Sequence, residues 1–542
     1  LDLFFEEARK GLSVPDLLAA VAGRYGIGVD ELTPFFEQLV DKGVLIAEIE
    51  PPYNARRPLA FVAEAMRRAG CDAPWLPEIE AVEREVEALP GLKPAARVEA
   101  MDRLEERLAP LPRAHPMKAD DLFRVDAASG VEIVLPERVR ADLEIPLRRC
   151  ARLFAALYPE RAFRAAWAAR FLSRHPPDAD VPLLDLYHGL FEPGDQERPD
   201  AFPPAPAGAA DAGAAFERTR EWFAARACGG VEEVAISDED WETLLDGLPP
   251  EPAWSAGALF QIAAGTPGEI AAGKYRLVLN GLFGAGIALA RFAHLHGGPG
   301  ADNSVAREVL RSWQPLARPG ALLAEVTYNH LGRSANAGLR PSLFRHEIEL
   351  PGERASPGAE VIPLADLTVR WDAGEGRFVL RWPSRETEVV PLISSGVSPE
   401  GFVSFLVEIG RQGLQPLSWF PGFDVPGIDR WPRFTSGPLV LFRRRWTLAP
   451  GKPPEDALFF VQIARWRRQH GIPRHVFVHT AADPKPFYAD LDSPLFVDLV
   501  RRALPEESAL HVVEMLPEPD EMWVRDGRGS YATEFLVQLR GL

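Results

Sequence analysis

The chain has 542 residues, 46% of them hydrophobic and 25% charged, with a formal net charge of -18 at pH 7. That composition is globular, its length suggests about three or four structural units, and its charge argues against sequence-wide affinity for nucleic acid while leaving room for a local basic groove. Cys71, Cys150 and Cys228 stand far apart with no C-x-x-C pair, no run is long and apolar enough to span a membrane, and no secretory signal precedes the first helix, so a disulfide framework, a thiolate zinc site and a transmembrane segment are all excluded and a reducing cytoplasm is favoured.

In chain order, residues 1–49 read as two or three helices. Ser13 is placed to cap "SVPDLLAAVAGRYG", with Pro15 near the first helical position. In "VDELTPFFEQLVDKGVLI" Asp30 is a cap, Leu32, Phe36, Leu39 and Val40 form the apolar stripe, and Gly43 ends it. "VLIAEI" alternates as a strand. Helix, turn, helix, glycine, strand is the layout of a winged helix, and equally of a helical hairpin followed by a strand.

"PPYNARRP" (51–58) reads as a linker, and residues 59–110 as helices whose interleaved Glu and Arg make solvated faces. "LFRVDAASGVEIVLP" (122–136) predicts two strands about a Ser-Gly turn, and 137–175 a long helical stretch. Residues 198–215, rich in Pro, Ala and Gly, read as a flexible segment. From 275 onward strand-like runs recur between Gly and Pro turns, with helices at "GFVSFLVEIGRQG" and "EDALFFVQIARWRRQHG". The expected fold is α+β, with mixed, mostly antiparallel sheets and helical insertions.

The usual chemical signatures are absent. "NGLFGAGIALARF" follows a strand and precedes a helix, but Gly281, Gly284 and Gly286 have the wrong spacing for a dinucleotide fingerprint. His475 and His479 in "HVFVH" share a strand face about 13 Å apart, too far for one ion, and His294 and His296 lack a third ligand, so surface or core histidines are expected. There is no G-x-S-x-G elbow and no cysteine in a reactive setting. What stands out is "RWPRFTSGPLVLFRRRWTL" (430–448), with Arg430, Arg433, Arg443, Arg444 and Arg445, followed by "RWRRQHGIPRH" with Arg465, Arg467, Arg468 and Arg474. Arginines among tryptophans suit phosphates and bases; they equally suit acidic neighbours in an acidic protein. On a strand, Arg443 and Arg445 face one way and Arg444 the other.

Several of these phrases, in this order, resemble the N-terminal region of lantibiotic dehydratases. They are "GLSVPDLLAAVAGRYGIGVDELTPFFEQLVDKGVLIAEIEPP", "LARFAHL" (289–295), "RSANAGLRPSLFRHEIEL" (333–350), "VIPLADLTVRWDAGEGRFVLR", "WPRFTSGPLVLFRRRWTL" and the final block from "GIPRHVFVHT". The family's G-R-F reads Ala290-Arg291-Phe292 here, its N-V reads Asn336-Ala337, and its L-P-R reads Trp431-Pro432-Arg433. These departures leave Arg291, Asn336, Arg340, Arg433 and Trp446 in register.

The resemblance implies an enzyme that esterifies Ser and Thr hydroxyls of a ribosomally made precursor peptide with glutamate from glutamyl-tRNA. Elimination of the glutamate, leaving dehydroalanine or dehydrobutyrine, would fall to a domain or protein not represented in this sequence. The opening on Leu1 implies a further segment upstream. Residues 1–50 are expected to be part of a winged-helix leader-peptide recognition element, 51–270 the mainly helical part of the glutamylation domain, and 271–542 its α+β part. Arg291 and Asp126 are the expected catalytic pair. Asn336, Arg340, Arg433, Trp446, Arg443 and Arg445 are the expected tRNA or aminoacyl contacts. No metal or cofactor beyond the glutamyl-tRNA co-substrate is implied. Expected partners are the leader region of the precursor, aminoacyl-tRNA, a separate elimination protein and a second copy of the chain, in the cytoplasm, with membrane association through a biosynthetic complex. Two other readings stay open: a ligase that appends an amino acid from aminoacyl-tRNA to a peptide C-terminus, and a non-catalytic leader-binding module.

Overall fold

The structure is a computed structural model and describes residues 1–42, 44–46, 49, 51–55, 57–70, 73–109, 123, 125–157, 160–191, 210–248, 255–284, 286–296, 304–314, 318–328, 338–395, 399–410, 425, 427–448, 456–480, 483–504 and 509–540. The N-terminal helices are Asp2–Ala8, Val14–Tyr25 and Val29–Asp41. Ser13 caps the second: its hydroxyl accepts from the Asp16 amide at 3.3 Å, and Gly26 closes the helix in the left-handed region. Leu3, Phe4, Leu17, Leu18, Val21, Leu32 and Leu39 pack together from all three.

Three features of this region differ from what its sequence pattern predicts. The third helix begins after Gly28, with no side-chain cap from Asp30, and Val40 faces solvent. The wing strand is not formed by Val44–Ile46. The Leu45 amide bonds back to the Leu39 carbonyl and its side chain packs on the helices, which satisfies the backbone without a ladder. Gly43, Ala47 and Glu48 lie outside the described residues.

Helices Pro58–Arg68, Leu76–Ala88 and Pro94–Leu108 form as expected, and their charges pair across the surface: Arg107 Nε donates to Glu78 at 2.6 Å, and Arg107 also pairs with Glu85. Residue 123 and residues 125–136 contain no strand, contrary to the alternation in "VEIVLP". Val131 and Val134 stand in solvent, Val134 at 92% exposure, with no neighbouring strand to accept the pleat. The long helical stretch divides into Glu137–Ala156 and Glu160–Arg174. Of the Pro-Ala-Gly segment, 198–209 lie outside the described residues, and from Ala210 the chain is helical to Ala227. That helix is held by a stripe at Ala215, Thr219, Phe223 and Ala227, four residues apart and all buried.

Among the described residues the strands form three main sheets and a small hairpin. One sheet has seven strands in the order Val181–Pro182, Thr368–Asp372, Arg377–Trp382, Thr387–Leu392, Leu322–Val326, His346–Glu349, Glu360–Pro363. Its core sets Trp167 and Phe171, from a covering helix, edge-on against Phe405 and Phe378. The six-stranded sheet runs Glu233–Ala235, Arg433–Ser436, Leu439–Phe442, Arg276–Gly284, Ala256–Ala263, Phe535–Leu539. Val139, Leu143, Leu147, Cys150 and Phe154 of the helix Glu137–Ala156 pack in its core. The five-stranded sheet runs Arg430–Trp431, Arg445–Leu448, Leu510–Glu514, His475–Thr480, Asp483–Asp490, under the helices Asp456–His470 and Pro494–Ala503.

Most of the pairings are antiparallel, with parallel exceptions such as Leu439–Phe442 on Arg276–Gly284. The architecture is α+β, as the strand runs predicted. The six-stranded sheet draws strands from both sides of residue 270. Among the described residues no helix is long and apolar enough to cross a membrane.

Candidate functional site

The strand Arg276–Gly284 ends in a glycine turn that only glycine fits. Gly286 has φ +72, and a Cβ there would lie 2.5 Å from Nε1 of Trp313. Its amide donates to Oε1 of Gln538 at 3.0 Å. The turn opens a four-residue helix, Ile287–Ala290, whose buried last residue sets Arg291 at the helix end. No alanine-to-glycine freedom is needed at Ala290 itself, which packs with Val309 and Trp313.

Arg291 meets Asp126, 165 positions earlier in the chain: Nη2 lies 3.5 Å from Oδ1. The Asp126 side chain is 11% exposed and that of Arg291 35%. The two expected catalytic residues, assigned from separate phrases, are therefore neighbours. A third group joins them. His294 places Nε2 3.9 Å from Asp126 Oδ2, and its Nδ1 lies 3.0 Å from the backbone carbonyl of Arg291. The Arg291 Nε is buried and has no hydrogen-bond partner among the described residues. Sequence reasoning passed over His294 as an ordinary histidine. Its position three residues after Arg291, in the short turn Ala293–Leu295, was the available signal.

The arginine-rich stretch is arranged otherwise than a bare phosphate surface. Glu514, almost fully buried, accepts both Nε and Nη2 of Arg433 at 2.9 and 2.8 Å, and the backbone amide and Nε of Arg444 at 3.0 and 2.6 Å. Burial alone would raise the Glu514 carboxyl, but the two guanidiniums and the amide outweigh it and hold it below its usual range. Glu233 takes a further bond from Arg433 at 3.0 Å, and Glu232 pairs with Arg430 and Arg444. Trp446 is 1% exposed and donates its indole N–H to the His470 carbonyl, so neither ring face is open to a base.

Arg443 and Arg444 lie in the break between the strands Leu439–Phe442 and Arg445–Leu448, so no single strand period sets the sides of these three arginines. Arg443 and Arg445 line a cavity of ≈ 600 Å³ walled by Phe154, Phe434 and Phe477. Within it Arg443 Nη2 donates to Asn280 Oδ1 at 2.7 Å and to the Leu516 carbonyl at 2.8 Å. Burial lowers the Arg443 guanidinium to about 10, against the opposing pull of Glu514 and Glu534. The Arg445 guanidinium sits 4.6 Å over the Trp431 ring.

Arg340 is enclosed, departing from the expected tRNA contact. Its side chain is 0% exposed and that of its partner Glu325 2%. Nε donates to Glu325 at 2.6 Å, Nη1 to the Tyr328 and Gly338 carbonyls at 3.2 and 2.8 Å, and Nη2 to the Val326 carbonyl at 3.1 Å. Tyr53, from the linker after the N-terminal helices, lies 4.5 Å beneath the guanidinium and donates its hydroxyl to Glu347. Burial raises the Glu325 carboxyl above its usual range, and the bonds from Arg340 and Ser394 only partly offset that. Asn336 lies outside the described residues. No group of three or more candidate metal ligands exists among the described residues.

Fold and site together define an α+β protein that brings Asp126, Arg291 and His294 together just after the Gly286 turn. The sequence matches the family model described as the N terminus of lantibiotic dehydratases over residues 1–500, and the chain belongs to that family. Three solved structures share its fold. The tRNA-dependent lantibiotic dehydratase MibB from Microbispora sp. 107891 matches at a TM-score of 0.70 and 24% identity, over 97% of this chain and 52% of that one. The glutamylation domain TbtB from thiomuracin biosynthesis matches at 0.66 and 21%, over 96% and 63%. TbtB bound to 5'-phosphodesmethylglutamycin matches at 0.65 and 20%, over 99% and 66%. The chain thus spans between about half and two thirds of the length of these structures. Among curated proteins none matches.

Proposed function

We propose that the chain transfers glutamate from glutamyl-tRNA to Ser and Thr hydroxyls of a ribosomally made precursor peptide. The observation that carries this reading is the meeting of Asp126 and Arg291 at 3.5 Å, within a chain whose family and fold are those of the dehydratases and glutamylation domains named above. An aminoacyl ester is already activated, so its transfer needs positioning and charge stabilisation more than a protein nucleophile. Arg291, whose side chain is 35% exposed, suits the glutamyl carboxylate or a tRNA phosphate. Asp126 suits the amine or the attacking hydroxyl.

Arg443 and Arg445, at the cavity, are the arginines we assign to the aminoacyl end, together with Asn336. Arg340, Arg433 and Trp446 we assign to the scaffold. Residues 1–50 are assigned to grip the leader, and elimination to another domain or protein. Self-association is checked by sedimentation.

The test is intact-mass spectrometry of the precursor after incubation with the full-length enzyme, tRNA, glutamate and its synthetase. A side-chain glutamyl adduct supports the reading; extension of the peptide C-terminus by another amino acid, or no tRNA-dependent change, refutes it. Asp126→Asn and Arg291→Ala are each expected to lower the transfer rate by about 10²-fold or more.

A further inference from the structure

We propose that the cavity lined by Arg443 is a mononucleotide site: the guanidinium takes a phosphate and the aromatic walls take the base. The inference deepens the assignment of Arg443 to the aminoacyl end, and it rests on that reading for RNA as a source of the nucleotide.

Arg443 differs from its neighbours in what it touches. Arg430, Arg433 and Arg444 each pair with a glutamate. Among the described residues Arg443 gives its hydrogens only to neutral acceptors. Nε donates to the Leu516 carbonyl at 3.2 Å, and Nη2 to that carbonyl, to Asn280 Oδ1 and to Gln261 Oε1 at 2.8, 2.7 and 3.4 Å. Nη1 makes no hydrogen bond among those residues and stays accessible. A charge taken out of water without an opposite partner is costly. An anion entering the cavity supplies that partner, and a phosphate oxygen suits a guanidinium N–H.

The rest of the cavity specifies what carries the anion. At ≈ 600 Å³ it has room for far more than a phosphate. Phe442 of the six-stranded sheet and Phe477 of the five-stranded sheet line it, both half-buried, and bases stack on aromatic rings. Gln261 lines it too, and its Nε2 donates to nothing among the described residues. Burial, and then His511 across the sheet, push the His479 ring below its ordinary value. Near pH 7 that ring is neutral and offers one donor and one acceptor. An amide and an imidazole of this kind can read the edge of an unstacked base. Gly281 keeps the space open: a Cβ there would meet nothing within 4 Å, and its φ lies outside the left-handed region. Asn280 and Gly281 belong to the strand Arg276–Gly284, which runs on into the Gly286 turn and Arg291. One strand therefore joins the cavity to the site of transfer.

The experiment is calorimetric titration of the full-length enzyme with adenosine 5'-monophosphate, adenosine and ribose 5-phosphate. The wild type is expected to bind the monophosphate about tenfold more tightly than either fragment, through a charge-assisted bond on one side and stacking on the other. Arg443→Gln removes the charge and is expected to bring the monophosphate within about twofold of adenosine. Gly281→Leu fills the cavity and is expected to weaken both adenosine ligands by about tenfold, with the melting transition of the wild type as the check on folding. Adenosine as tight as its monophosphate, ribose 5-phosphate as tight as the whole nucleotide, or an advantage of the monophosphate that survives Arg443→Gln overturns the inference.

Competition identifies the source. Displacement of the monophosphate by uncharged tRNA, but not by the same tRNA lacking its terminal nucleotide, names the RNA end. Displacement by neither names a free nucleotide, and the site stands in both cases. Glutamyl transfer without binding of the monophosphate overturns the site and keeps the proposed function, whereas binding without transfer does the reverse.

Discussion

Replacing Arg340 by Met should weaken the seven-stranded sheet, not the grip on tRNA. The substitution removes the guanidinium from a pair that is 0% and 2% exposed and strips the bonds it gives to Tyr328, Gly338 and Val326. Glu325 is left with the Ser394 amide and hydroxyl, at 3.0 and 2.8 Å. Removing one partner of a buried pair costs about 3–5 kcal/mol. That corresponds to a rise in the opening constant of roughly 10²-fold to 5,000-fold, read by hydrogen exchange in the strands Leu322–Val326 and His346–Glu349.

The deficit has a pH signature. The Glu325 carboxyl is already raised by burial, and loss of Arg340 raises it further. A carboxyl whose folded pKa is raised stabilises the fold while protonated and loses that as pH rises through the folded value. The deficit should therefore be larger at pH 8 than at pH 5.5. Pairing Arg340→Met with Glu325→Gln should recover part of it at the higher pH. A deficit below about 1 kcal/mol, a deficit independent of pH, or a fall in tRNA affinity with an intact sheet would each refute the scaffold assignment.

Glu514→Ala should destabilise the five- and six-stranded sheets by about 3–5 kcal/mol, since it strands two mostly buried guanidiniums; a denaturation midpoint equal to wild type would count against the hub. The Glu514 carboxyl is held low, so its contribution is present above the unfolded pKa and lost as pH falls below about 4.5; Glu514→Gln should flatten the acid limb of a stability profile. Gly286→Ala should cost about 1–3 kcal/mol from left-handed strain and the clash with Trp313, and should lower glutamylation because Arg291 follows that turn; wild-type transfer by that variant would uncouple the turn from the site.

The sequence carried the local structure well and the pairings poorly. Ser13 and Pro15 announced their helix because capping is read within four residues. The alternation expected of Arg443, Arg444 and Arg445 assumed one continuous strand, whereas the strands Leu439–Phe442 and Arg445–Leu448 break at Arg443 and Arg444. "VEIVLP" alternates too, but alternation cannot say whether a neighbouring strand exists, and there Val134 stands exposed. The fate of the arginines was hidden for the same reason. Glu232, Glu233 and Glu514 neutralise them from 70 to about 200 positions away, where no periodicity reaches. Arg291 was singled out by its place in a matched phrase and Asp126 by its place in "FRVD"; their contact is a fact of tertiary folding. His294 had no motif to mark it.

The apolar side chains gather in several clusters, most of them between one sheet and its helices, with Trp431 of the five-stranded sheet packing into the six-stranded sheet's core. A chain built this way is expected to lose its cores in more than one transition under heat or denaturant, read by calorimetry. The Arg340–Glu325 pair then sets when one unit gives way, and Glu514, lying where two sheets meet, sets whether two of them give way together.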